Sequence, residues 1–169
     1  MGKRVQTKIG DVFSVKISNN EKKYFQLIAF DLTQLNSDVI RAFSKVYGVN
    51  EQPPLSEIVS GKVEFYAHCV TKFGVKLQLW AKVGNIPDVG DVRHIIFKET
   101  EEGDRREGDP FLEVSHKWYV WHIGDKDFKY VGKLRGENRD AEIGRVINPY
   151  SIVHRIKTGK YNFYYPGFE

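Results

Sequence analysis

His68 and Cys69 are the first residues in this chain whose side chains could do chemistry together: an imidazole beside the only thiol in 169 residues is the raw material of a nucleophile and its base. Adjacency works against them. The run from Val63 to Val70 alternates as a β-strand, and neighbouring strand residues point to opposite faces, so a base for Cys69 would have to come from His94 or His154. A buried core cysteine is the plainer reading. The carboxylates Asp11, Asp31, Asp91 and Asp125 could pair as acid and base or hold a cation. Three of them follow a glycine (Gly10, Gly90, Gly124), the composition of a turn in which Gly takes positive φ and Asp bonds its own backbone. His116 and His122 would lie about 20 Å apart along a strand, too far to share a metal ion.

Near the C-terminus, Arg155, Lys157, Lys160, Tyr161, Phe163, Tyr164 and Tyr165 interleave cations with rings. Such a composition can stack unpaired bases while neutralising phosphates. In the competing reading the rings close the sheet, and only Lys157 and Lys160 stay in water. On the strand from His116 to His122, Trp118 and Val120 share one face while Lys117, Tyr119, Trp121 and Ile123 share the other. Aromatic residues on both faces make this strand central. Tyr119 and Trp121, with Lys157, Lys160, Tyr161 and Tyr164, are the candidate partner-binding residues, because Trp, Tyr and cations anchor interfaces. No Walker loop, dinucleotide fingerprint or nucleophile elbow occurs, and no catalytic, cofactor or metal residues are assigned. An enzyme built on His68, Cys69 or the turn carboxylates would need a pocket joining them.

The elements that must position these groups are mostly strands. Lys8–Ile17 and Tyr24–Phe30 alternate around the polar turn Ser18-Asn19-Asn20-Glu21, which predicts a hairpin. Between Asp31 and Gly48 the apolar residues Leu35, Val39, Ile40, Phe43, Val46 and Tyr47 recur at three- and four-residue steps, which predicts the main helix, capped by Ser37. Leu55 to Val59 reads as a short helical turn ending at Gly61. Strands are expected over 63–70, 75–80, 93–97, 117–123, 128–134 and 150–156, with an exposed mobile loop at 98–110. The fold class is therefore α+β: a strand-rich curved antiparallel sheet or partly open small barrel with one main helix, in a single domain over 1–169.

Composition narrows the classes further. The apolar fraction of 41% supports a core, and the 14% aromatic content suits a strand-rich protein. Net charge is +4, from 26 basic and 22 acidic residues that are mixed along the chain, too weak a bias to mark a dedicated nucleic-acid binder. No apolar run is long enough to span a bilayer, and Met1-Gly2-Lys3-Arg4 opens no signal sequence. With a lone cysteine, this leads to the expectation of a cytoplasmic protein.

The opening Ile9-Gly10-Asp11-Val12-Phe13-Ser14-Val15, the run Tyr24-Phe25-Gln26-Leu27-Ile28, and Gly74–Trp80 with Gly84-Asn85 resemble the immunity protein 26 family of bacterial polymorphic toxin systems. The resemblance covers about the first half of the chain, Lys8 to Pro87. It implies a cytoplasmic inhibitor, without a cofactor, that binds a cognate toxin and blocks it by steric occlusion. Rim charges between Asp104 and Glu107 would steer association. A small-barrel RNA-binding module is the alternative.

Overall fold

Strand β1 (Asp11–Lys16) leaves the Gly10-Asp11 turn and pairs antiparallel with β2 (Glu21–Asp31), Phe13 opposite Phe25, as the alternation at the start of the chain predicts. Gly10 sits at φ 97°, its N–H bonded to the Leu27 carbonyl, and a side chain there would strike the Ile86 backbone. The other two Gly-Asp dipeptides behave alike: Gly90 and Gly124 also have positive φ, and Asp91 and Asp125 accept from the backbone N–H groups of Arg93 and His122. The computed structural model describes residues 2–103, 106–110 and 112–169.

The segment expected as the main helix is strand β3 (Ser37–Phe43), followed by the two-residue strand β4 (Tyr47–Gly48). Val39 and Ile40 are β-branched and prefer the pleat. Their spacing misled because both faces of this sheet are covered: Ile40 and Ala42 face one core cluster, Val39 another. Helix α1 (Leu55–Val59) forms where expected. Strand β5 (Val63–Cys69) pairs with β3, Ala67 opposite Ile40. The residues next in line, expected to turn into another strand, form the short helix α2 (Thr71–Lys76), and strand β6 (Ala81–Asn85) follows it. The first sheet thus runs β5-β3-β2-β1-β6, with β4 against β2.

A second sheet is built from β7 (Ile96–Thr100), β8 (Trp118–His122), β9 (Lys129–Gly132) and β10 (Glu142–Ile143), in the order β10-β7-β8-β9. Its pairs are antiparallel except β10 with β7, and β8 is central, as its two aromatic faces predict. The expected loop over 98–110 begins later than its charge suggests, since β7 runs to Thr100; Asp104 and Arg105 lie outside the described residues. Neither sheet closes into a barrel.

The longest helix among the described residues is α3 (Pro149–Thr158), over residues that the alternation assigned to a strand. Asn148 Oδ1 accepts from Tyr150 N at 2.9 Å, Pro149 occupies the first turn, and Gly159 ends the helix at φ 83°. Ile152 and Ile156, four residues apart, bury the inner face against Phe25, Leu27 and Ile40 of the first sheet. Asn148→Ala removes the cap and is expected to lower the unfolding free energy by about 1 kcal/mol, read from the denaturation midpoint. The opposite face of the first sheet packs on the second, where Ile28, Ala29 and Val39 meet Phe97 and Trp121.

Candidate functional site: a latched loop beside a basic cleft

Asp31 ends β2 with its carboxylate in the junction between the sheets, wholly buried. Four donors converge on it. Oδ2 accepts from His68 Nε2 at 2.8 Å and from Trp121 Nε1 at 2.9 Å; Oδ1 accepts from the backbone N–H of Gly124 at 3.0 Å and of Thr33 at 3.1 Å. Burial alone would raise its pKa, but the bonds from His68, Gly124 and Trp121 outweigh that and hold it at about 2. Ionised, the carboxylate only accepts, so His68 donates from Nε2. The imidazole is itself fully buried, with its ring centre 4.1 Å from that of Phe97. On the other face of β5, Cys69 lies in the core with Ile152 and Ile156, and burial pushes its thiol well up. His68 and Cys69 thus point apart, as strand geometry predicts, and what the Asp31 cluster does is hold three strands, the turn after β8 and the β2–β3 loop together.

The loop it holds is the β2–β3 connection. Leu32–Gln34 form a 3₁₀ turn whose N-terminus Asp31 caps, and Leu35 and Asn36 then take left-handed backbone at φ 58° and 51°. Such conformations cost about 1–2 kcal/mol per non-glycine residue, so the surroundings must enforce them. They do: Gln34 Nε2 donates to the Gly144 carbonyl at 2.7 Å, Ser37 Oγ to the Gln34 carbonyl at 2.6 Å, and Thr33 Oγ1 to the Asp125 carbonyl. The outcome is a fixed loop that leaves Leu32 76% and Leu35 84% exposed.

Beside it lies a cleft of about 810 Å³ between the N-terminal segment and the ends of β2, β3 and β5. Phe30 and Asp38, paired across β2 and β3, line it on the face opposite Asp31. Asp38 Oδ2 accepts from Thr71 N at 2.8 Å and from Thr71 Oγ1 at 2.6 Å; Thr71 Oγ1 in turn lies 2.8 Å from Thr7 Oγ1, which docks the N-terminal segment on α2. Arg4, Lys8, Lys72 and Lys82 also line the cleft. Lys82 Nζ is 2.9 Å from Asp11 Oδ1, whereas among the described residues the other three cations have no ion-pair partner.

Of the residues singled out in the sequence, Trp121 proves to be a core residue, 1% exposed and bonded to Asp31; it anchors the sheet junction and presents nothing to a partner. Tyr119 is half-buried, its ring edge-on to Tyr130 at 5.1 Å and its hydroxyl donating to Glu101 at 2.6 Å. Lys157 and Lys160 are exposed at the end of α3. Tyr161 stacks on Phe163 at 4.8 Å and takes the Arg155 guanidinium over its ring, and Arg155 also stands 4.1 Å from the Phe65 ring centre. Tyr161 and Tyr164 are half-buried, so the C-terminal rings line the edge of the core while the two lysines stay in water. No group of three His, Cys, Asp or Glu side chains is placed to hold a metal ion among the described residues.

Sequence reasoning missed Leu32 and Leu35, because Leu35 fitted an apolar helical spacing, and missed the four cations, because they are scattered between positions 4 and 82. Compared with protein-family models, with curated proteins and with solved structures, the chain matches none of them.

Proposed function

We propose that this chain is a stoichiometric binding protein of the immunity type, which neutralises a cognate toxin protein by covering its working surface, and that Leu32 and Leu35 anchor the contact. The observation that carries this reading is the fixed loop. Leu35 is held in solvent on left-handed backbone beside the exposed Leu32, which costs stability in the free protein, and a partner that buries the two leucines recovers apolar area without having to order the loop. The sequence resemblance to immunity protein 26 supports the same class.

The experiment is capture from source-cell lysate on the tagged protein at moderate salt, with and without nuclease, followed by co-expression of the captured protein with this chain. One protein retained in equal amount, whose toxicity to growing cells this chain relieves and the Leu35→Asp variant does not, is the expected result. Nuclease-sensitive recovery of RNA, or growth that the chain fails to restore, overturns the proposal.

A further inference from the structure

Resting on that reading, we infer that the cleft beside the β2–β3 loop takes an extended acidic segment of the partner protein, its carboxylates on Arg4, Lys8 and Lys72 and an apolar side chain against Leu35. The charge is one-sided: four cations line the cleft against Asp38 alone. Asp38 accepts from both the N–H and the hydroxyl of Thr71 at Oδ2, and it forms no ion pair with the cations around it among the described residues. Lys82 is partly neutralised by Asp11, and Lys72 Nζ lies over the Phe73 ring at 5.7 Å from its centre, which leaves Arg4, Lys8 and Lys72 as the cations without a carboxylate among the described residues.

Position matters as much as sign. Thr7 is fixed to Thr71, so the segment carrying Arg4 and Lys8 runs beside the start of α2 that carries Lys72, and all of these cations line one groove. Several cations along one groove suit a chain laid in it, each carboxylate within reach of a positive group.

The apolar content of the cleft decides between the polyanions. Val5, Leu35, Val70 and Val146 are aliphatic, and Phe30 is the only ring among the lining residues. Single-stranded nucleic acid is gripped by stacking on successive rings, which one phenylalanine does not supply. Aliphatic walls between cations instead fit a peptide that alternates acidic and apolar side chains. The volume of about 810 Å³ is ample for several residues of such a segment.

The test uses the full chain and two labelled probes followed by fluorescence anisotropy: a decapeptide alternating Glu and Leu, with its Gln-and-Leu counterpart as control, and a ten-nucleotide oligouridylate. The expected result is that the acidic peptide binds, that the Gln peptide binds at least about tenfold more weakly, and that raising salt from about 0.05 to 0.2 M weakens the acidic complex several-fold. Lys8→Glu with Lys72→Glu should abolish binding and Lys8→Gln with Lys72→Gln should weaken it, both at an unchanged melting temperature. Equal binding of the acidic and Gln peptides, or indifference to the lysine substitutions, overturns the inference, as does oligouridylate binding more tightly than the peptide. Should the purified toxin still bind through Leu35 while the lysine variants change nothing, the acidic segment is wrong and the immunity reading stands. If Leu35→Asp also leaves toxin binding intact, both fall.

Discussion

Asp31→Asn is expected to destabilise this protein by about 3–5 kcal/mol, because donors that the carboxylate pairs are left unpaired at about 1–3 kcal/mol each, more where the lost acceptor was charged. Size is conserved in this substitution, so the loss comes from hydrogen-bond sign. Two donors face each carboxylate oxygen: His68 Nε2 and Trp121 Nε1 at Oδ2, Gly124 N and Thr33 N at Oδ1. An amide offers one acceptor and one NH₂ group. Whichever way it turns, donors meet donors on one side, either at the fully buried His68 and Trp121 or at the more open backbone of Thr33 and Gly124. A change of tautomer at His68 can relieve one of them, but Trp121 Nε1–H only donates.

The same carboxylate makes stability depend on acid. Its folded pKa of about 2 lies below the usual 3.8, so its contribution is complete above about pH 4 and is lost as pH falls through about 2. The gap corresponds to about 2 kcal/mol. Urea unfolding of wild type and Asp31→Asn at intervals between about pH 2 and 6 reads both effects: the stability difference should be constant above about pH 4 and shrink below it. Parallel curves across that range would show that Asp31 is not the ionised hub of the junction.

Gly74→Ala carries the second large effect, with a sign opposite to the usual one. In a helix interior, alanine is normally better than glycine by about 1 kcal/mol. Here the added Cβ would overlap the indole of Trp80, which is buried edge-on against Phe25 at 5.0 Å and donates from Nε1 to the Thr71 carbonyl at 2.9 Å. Trp80 cannot retreat without breaking that bond and entering the α3 core, so a loss of about 2–3 kcal/mol is expected. Adding Trp80→Leu should cost less in the Gly74→Ala background than in wild type, because the smaller side chain relieves the overlap. Independent, additive losses in that double-mutant cycle would place the strain elsewhere.

The first hairpin, the short helix α1, the Gly-Asp turns and the central place of β8 were legible because each depends on local signals: alternation, turn residues and β-branched or aromatic runs. β3 was not, since a strand covered on both faces lacks the two-residue period that marks a half-buried one. The helix α3 had its signals in Asn148, Pro149 and Gly159, but Ile152 and Val153 beside the rings of 161–165 favoured a strand reading. Chemistry at the site was the least legible. Asp31 meets His68 and Trp121 across 37 and 90 residues of sequence, and no spacing rule connects positions that far apart. Trp121 looked like an interface anchor for the same reason: residue type suggests it, and only burial decides. Leu32 and Leu35 are the reverse case, apolar residues that the fold leaves in water.

The most direct test of the binding role assigned to this chain is calorimetric titration of the purified toxin with wild type and with Leu35→Asp. Truncation and charge at a buried anchor should weaken the complex by about a hundredfold or more, at one-to-one stoichiometry and an unchanged melting temperature. An affinity equal to that of wild type would contradict the account, because the loop that Asp31 latches in place would then have no part in the contact.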